Sequence, residues 1–452
     1  MRQTFNWQQK IIQLTAVLIP IFVTQLAITS TGFFNTVMAG HISEADLAGV
    51  AVGVNLFFPF FVMCQGIVSG LTPTIAQLYG AQQPKEISHV IRQAFYWAFA
   101  LGVIIIILGY ALAPKIIGLL NLDPEVAYIM GHYLMAISFG VIQVFMAQVL
   151  RNLIDAHGMT RLTMIITLVT VPVNIGLNFI FMYGYFGMPK LGGIGAGVGS
   201  AVTWTLSLLL NSIVVANIKS FKQYGVFKME KPDISAWKKQ LLVGVPIGGT
   251  MFCEASIYGA VGMLMTVYGT SVMAAHQAAL NFSSVVYMIP MSISMALTII
   301  IGYEIGAGRQ KDAKSYRRIG WFMSALFSGS LAFVLIHYRE MIASLYTANE
   351  TVHEYLMIFL VYAIILQVAD GINAPLQGTL RGYKDVHVTF LLAVLSFWLI
   401  GLPSGWVMAN YFFGPYGYWM GLISGILLGA ALLTVRLYLV EKRYWQKRSA
   451  DV

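Results

Sequence analysis

Charged side chains are scarce in this chain, 10% of its residues against 58% hydrophobic, too little polar surface to cover a water-soluble fold of 452 residues. The chain belongs in lipid. Cysteine is nearly missing: Cys64 and Cys253 both lie in long apolar runs, which excludes a disulfide framework or a cysteine metal centre and leaves packing as their role. The phosphate-cradling loop G-x-x-x-x-G-K-[ST] is absent, as are H-E-x-x-H and G-x-S-x-G. ATP-driven pumping, zinc-dependent hydrolysis and serine-hydrolase chemistry therefore lack their usual signatures. Neither enzymatic activity nor a cofactor is expected. Met1 to Lys10 runs straight into apolar sequence with no small-residue cleavage site after a short core, so it does not read as a removable signal peptide.

What is present is a series of twelve apolar runs, near 14–38, 47–76, 93–114, 126–150, 162–184, 195–217, 240–268, 274–303, 319–337, 355–378, 387–410 and 418–435. A bilayer-spanning helix needs about 20 such residues. The short alternating segments of an outer-membrane barrel are missing, and only helices satisfy every backbone group within one segment. An all-α membrane protein of 12 transmembrane helices is expected. Of the 27 Lys and Arg residues, all but Lys115, Lys190 and Arg339 fall in every second break or at the termini. The positive-inside rule then places both termini and the 218–239 break in the cytoplasm. The net charge of +9 reflects topology, and nucleic acid is not an expected partner.

The two halves repeat each other at an offset of 226 residues. Pro20-Ile21 falls on Pro246-Ile247, Ser30 on Ser256, Asn55 on Asn281, and Leu71, Thr72, Gly80, Ala81, Lys85 and Arg92 on Leu297, Thr298, Gly306, Ala307, Lys311 and Arg318. Six spans is an even number, so both copies enter the membrane from the same side and the repeat is parallel. The expected plan is an N-lobe over 1–217, a cytoplasmic linker over 218–239 and a C-lobe over 240–452, two pseudo-symmetric six-helix bundles.

Two acids lie well inside spans, Glu254 in the seventh and Asp370 in the tenth. A carboxylate at mid-bilayer costs roughly 2.5–3.5 kcal/mol and normally faces a cavity with a task. The pair is read as a coupling site for H⁺, or for Na⁺ as a hard cation held by oxygen, with Tyr258 one turn from Glu254 and Gln277 as a further oxygen donor. Shifted by 226, these acids fall on Ile28 and Val144, so the first copy lacks them. It carries amides instead: Asn35 in the first span, Asn174 and Asn178 in the fifth, groups that hydrogen-bond but do not titrate. His276 is the only histidine placed within a span near the acids and is read as packing.

The stretches Asn35-Thr-Val-Met-Ala-Gly40, Ala274-Ala-His-Gln-Ala-Ala-Leu-Asn281, Ile305-Gly-Ala-Gly-Arg309 and Gln377-Gly-Thr-Leu-Arg-Gly-Tyr-Lys-Asp385 resemble the multidrug and toxic compound extrusion (MATE) family, in particular its NorM-like bacterial branch. The resemblance covers nearly the whole chain. It implies a V-shaped pair of six-helix lobes in the bacterial cell membrane, a monomer that exports cationic amphipathic drugs in exchange for Na⁺ or H⁺ by alternating access. It also implies that Glu254 and Asp370 occupy the branch's C-lobe cation site and that Asn174 and Asn178 match its N-lobe asparagines. Two positions depart from the family: Asn35 stands where an aspartate is usual, and Leu366 where relatives often place a tyrosine. The alternative is a flippase for lipid-linked saccharides of a related superfamily. Its cavity would need basic residues for pyrophosphate, and the spans hold almost no Lys or Arg.

Overall fold

The computed structural model describes residues 1–120 and 122–450, the side chains of 445 and 447–450 excepted. Twelve helices long and apolar enough to cross a bilayer follow one another: α1 (Trp7–Gly40), α2 (Glu44–Gly80), α3 (Pro84–Leu119), α4 (Pro124–Ala156), α5 (Thr160–Tyr183), α6 (Ile194–Asn217), α7 (Ile234–Tyr268), α8 (Thr270–Gly306), α9 (Gln310–Tyr346), α10 (Glu350–Gly382), α11 (Val386–Phe413) and α12 (Tyr416–Tyr444). Each expected run falls on one of them, and the described residues contain no strand. The helices start where polar side chains take up their orphan N–H groups. Ser43 accepts from Asp46 N at 2.9 Å, Asp123 from Glu125 N at 3.0 Å, and Asn349 from Val352 N at 3.1 Å. At the end of α5, Gly184 takes the left-handed turn (φ 78°) that a side chain would disfavour. In α11 two π-helical stretches, Val394–Gly401 and Ala409–Phe413, flank Pro403, whose missing N–H removes one rung of the ladder.

The chain packs as two compact units, and their limits differ from the lobes drawn at the linker. One unit is Val23–Gly248; the other joins Met1–Phe22 to the chain from Gly249 onward. Both crossings fall two residues past a proline inside a long helix, Pro20 in α1 and Pro246 in α7. A proline breaks the i to i−4 hydrogen bond and bends the helix, so the segments before and after it can pack against different neighbours. The start of α1 buries Leu14, Val17, Leu18 and Ile21 in one cluster with Ile293, Leu297 and Ile300 of α8. Lys10 pairs with Asp312 at 2.8 Å, and Thr4 and Tyr316 share a hydroxyl hydrogen bond of 2.9 Å. The start of α7 lies on α2 so tightly that a Cβ on Gly70 would stand 2.6 Å from Gly244 Cα. Trp97 Nε1 donates to Gln240 Oε1 at 2.7 Å beside it.

The 218–239 linker belongs to the Val23–Gly248 unit and is bonded to it along its length. Just past α4, His157 is buried; its Nδ1 donates to the Leu153 carbonyl and its Nε2 accepts from the Tyr224 hydroxyl, both at 2.7 Å. The carbonyl can only accept, which fixes the proton on Nδ1. Burial holds this imidazole down at about 4, so it is neutral.

Candidate functional site

In the unit that holds the second half, α7 and α10 bring the two span acids together. Asp370 is buried and Glu254 half-buried, and the two feel each other's charge. Tyr258 of α7 and Tyr287 of α8 lie within the field of both acids. Tyr258 thus stands where its spacing one turn from Glu254 places it. Gln277 does not join the pair: it is exposed, and its amide lies 3.7 Å from the position a Cβ on Gly262 would take. The amide on Glu254 comes from α10, where Gln377 Nε2 donates to Glu254 Oε1 at 2.6 Å. Arg381, one turn further along α10, donates from Nη2 to Gln377 Oε1 at 3.1 Å and completes the chain Arg381, Gln377, Glu254.

Sequence reading missed Gln377 and Arg381 as site residues, although both stand in the Gln377–Asp385 motif. Asp370, Asn373, Gln377 and Arg381 follow one another at helical spacing along one face of α10. That periodicity was the available signal. Next to them lies a small chamber between α10, α11 and α12, lined by Asn373, Gln377, Thr389, Ser396 and Gly429. Asn373 Oδ1 and Ser396 Oγ are buried there without a hydrogen-bond partner. Leu392, Ala393, Phe397 and Leu433 complete a lining that is mostly apolar, so the two unpartnered oxygens stand in a chamber with room for about one water.

The oxygens around Glu254 and Asp370 are carboxylate and phenol, with the amide of Gln377 turned NH₂-first to Glu254, a set that suits a hard monovalent cation or a proton. Among the described residues no three His, Cys, Asp or Glu side chains converge as a transition-metal centre would require. His276 is fully buried and accepts from Trp419 Nε1 at 3.1 Å, in contact with the ring of Phe359 as well. Another buried carboxylate, Glu304, stands in the last turn of α8 and is ion-paired with Arg309 at 2.5 Å.

In the Val23–Gly248 unit the three amides form one network. Asn178 Nδ2 donates to Asn35 Oδ1 at 2.6 Å and to Asn174 Oδ1 at 3.1 Å. Asn174 Nδ2 donates onward to Thr203 Oγ1 at 3.1 Å. Asn174 and Asn178 are buried and Asn35 half-buried. The fit is close: a Cβ on Gly199 would collide with Asn178 Oδ1. Thr203, on α6, is a member that no sequence spacing indicated.

The MatE family model matches the chain twice, over residues 20–180 and 246–407, so the two matches start 226 residues apart. The chain is 44% identical over 450 residues to the probable multidrug resistance protein NorM of Bacillus subtilis, covering 99% of this chain and 100% of that one. It is 42% identical over 446 residues to the protein of the same description in Oceanobacillus iheyensis, covering 98% and 100%. Among solved structures, the eukaryotic MATE transporter AtDTX14 superposes with a TM-score of 0.87 at 18% identity, over 98% of this chain and 99% of that one. The Vibrio cholerae MATE transporter VcmN in its bent form gives 0.85 at 19%, over 97% and 98%. At such identities the structural likeness speaks for the fold alone. These relatives are described as transporters or multidrug resistance proteins, not as enzymes, and the twelve spans make this chain a multi-pass membrane protein. Two copies of the family's domain in series, and relatives matched from end to end, show that the chain belongs to the MatE family, on its NorM-like branch.

Proposed function

We propose that this protein is a cation-coupled exporter of cationic amphipathic drugs, working as a monomer by alternating access, with both termini in the cytoplasm. The observation that carries the reading is the pairing of Glu254 and Asp370 within one unit, while the Asn35, Asn174 and Asn178 network of the other unit contains no carboxylate. Two carboxylates close together in a poorly solvated site retain a cation between them or share a proton. A drug cation and a coupling ion are then rivals for the same negative charge, which is the thermodynamic root of antiport. Loading the acids lowers affinity for the drug in the outward-facing state; unloading restores it in the inward-facing state. Each ligand biases the equilibrium only by its difference in affinity between the two states.

Gln377 holds Glu254 in place for this exchange, and Tyr258 and Tyr287 offer further oxygen and ring faces to a cation. The Asn35, Asn174, Asn178 and Thr203 network supplies hydrogen bonds that do not change with pH. With an aspartate replaced by Asn35, coupling rests on the C-terminal acids. Inverted vesicles given a fluorescent drug cation in the outer medium test this reading, since their outward cytoplasmic face makes export appear as uptake. Export should respond to an imposed Na⁺ gradient at fixed pH, or to a pH gradient in the absence of Na⁺. Export indifferent to both gradients rules the reading out.

A further inference from the structure

Between α6 and α7 the chain forms a strap, residues 218–233, that the transport reading does not use. It carries Lys219, Lys222, Lys228 and Lys231, and Lys238 and Lys239 follow in the first turns of α7. All six are exposed, and among the described residues none has an acidic partner. The acids of this stretch are already engaged. Glu230 Oε1 meets His89 Nδ1 at 2.7 Å, and its Oε2 lies 3.5 Å from Arg92. Asp233 caps α7 by accepting from Ser235 N and Ala236 N at 2.9 and 3.2 Å. Those backbone N–H groups, Ala236 first, hold its carboxyl below the ordinary range, so it is ionised and turned to its own helix. The outward face of the strap is therefore cationic without compensation.

Its height is set by α3. Gln93 Nε2 donates to Lys231 O at 2.8 Å and Gln93 Oε1 accepts from Asp233 N at 2.8 Å, while the Tyr96 hydroxyl donates to Glu230 O at 2.7 Å. Arg92 donates to the carbonyls of Tyr224 and Gly225. These anchors stand where α3 passes from its charged start, Lys85, Glu86, His89 and Arg92, into apolar sequence. Such a passage from charged to apolar sequence is expected at the level of lipid headgroups, which is where these anchors would hold the strap. At that level three apolar side chains point out of the protein, Met229 (94% exposed), Ile234 and Phe227. Apolar side chains flanked by unpaired lysines are the composition of an interfacial anchor.

We propose that this strap is a docking surface for anionic phospholipid headgroups of the bilayer that holds the protein. The lysines meet lipid phosphate, and Phe227, Met229 and Ile234 enter the boundary between headgroups and acyl chains. The proposal is independent of the coupling chemistry.

The full-length protein in nanodiscs of phosphatidylcholine with 30 mol% phosphatidylglycerol, as a chosen order-of-magnitude mixture, supplies the test: native mass spectrometry after release counts the lipids retained. Each lysine near the surface adds about fivefold to anionic lipid affinity. The wild type should keep phosphatidylglycerol over phosphatidylcholine by roughly tenfold or more, and added salt should erode that preference. Lys228→Gln, Lys231→Gln and Lys238→Gln combined should bring the preference near unity, and the corresponding Lys→Arg set should retain it. Phe227→Ser with Met229→Ser should lower total lipid retention while leaving the charge preference. Exposed Lys→Gln changes leave the core untouched, so an unchanged thermal midpoint in pure phosphatidylcholine verifies folding. A triple Gln variant that keeps the wild-type preference overturns the proposal, as does a preference indifferent to salt.

Discussion

Gln377 donates to Glu254 at 2.6 Å while accepting from Arg381, so the guanidinium decides which end of the amide the carboxylate meets. An arginine offers only donors. The amide oxygen must turn toward it, and the NH₂ end is left for Glu254. Gln377→Leu should leave an unpaired carboxylate oxygen, a loss of roughly 1–3 kcal/mol at a poorly solvated site. Drug efflux in vesicles should fall about tenfold or more on that scale. Arg381→Ala should weaken efflux in the same direction with a smaller effect, since it frees the amide to rotate. Wild-type efflux in Gln377→Leu would remove the amide from the site.

Glu254→Gln and Asp370→Asn keep shape and abolish charge. Each should cut cation-driven efflux by roughly a hundredfold, two powers of ten being about 2.7 kcal/mol, with protein levels in the membrane unchanged. Efflux assays on matched amounts of protein decide the matter. Retained export in both variants would detach the two acids from coupling.

In the amide network the sensitive point is Gly199. Gly199→Ala pushes a methyl group into Asn178 Oδ1 and should destabilise the protein by about 1–3 kcal/mol, as overpacked sites do. Asn178→Ala removes the obstacle along with the hydrogen bonds to Asn35 and Asn174. The double variant should therefore cost less than the sum of the two single changes. Thermal unfolding of the four proteins, followed as a double-mutant cycle, gives the coupling directly; strict additivity contradicts the contact.

His157 sets a pH dependence of stability. Its imidazole titrates at about 4 in the folded protein against 6.5 ordinarily, so between these values the unfolded chain binds the extra proton. Stability contributed by the neutral ring is complete above 6.5 and is lost as pH falls toward about 4. At about 1.4 kcal/mol per unit, the full effect is roughly 3 kcal/mol. The thermal midpoint of the wild type should drop over that interval, and His157→Gln should flatten this part of the profile. An identical slope in both proteins would assign the acid sensitivity elsewhere.

The helices and the repeat were legible in the sequence because lipid imposes them. A run of about 20 apolar residues has one stable form in a bilayer, and an offset of 226 survives in glycines, prolines and loop charges. Glu254 and Asp370 stood out for the same reason, as charge is conspicuous where it is costly. Gln377 was not legible as a partner of Glu254. One amide in a span is most often a packing hydrogen bond, and 123 positions separate the two residues. Gln277 was the nearer amide by sequence and faces Gly262 instead. Which faces of α7, α8 and α10 meet is decided by tertiary packing, where side chains such as Leu366 and Ile257 fill one shared cluster. The crossings at Phe22 and Gly248 were hidden as well, since a proline marks a bend without naming the neighbour on either side.

Those crossings have a consequence for biosynthesis. Chain growth from the ribosome completes every piece of the Val23–Gly248 unit once Gly248 has emerged, whereas Met1–Phe22 is made first and finds its packing partners only after α8 and α9 are translated. The leading segment must wait, already in the membrane, for more than half of the protein. A gene cut within the linker would yield two fragments that each lack one opening half-helix of their own unit and hold the other's. Each fragment expressed alone should fail to mature, and the two co-expressed should complement by exchanging those half-helices, which export from cells carrying both would report.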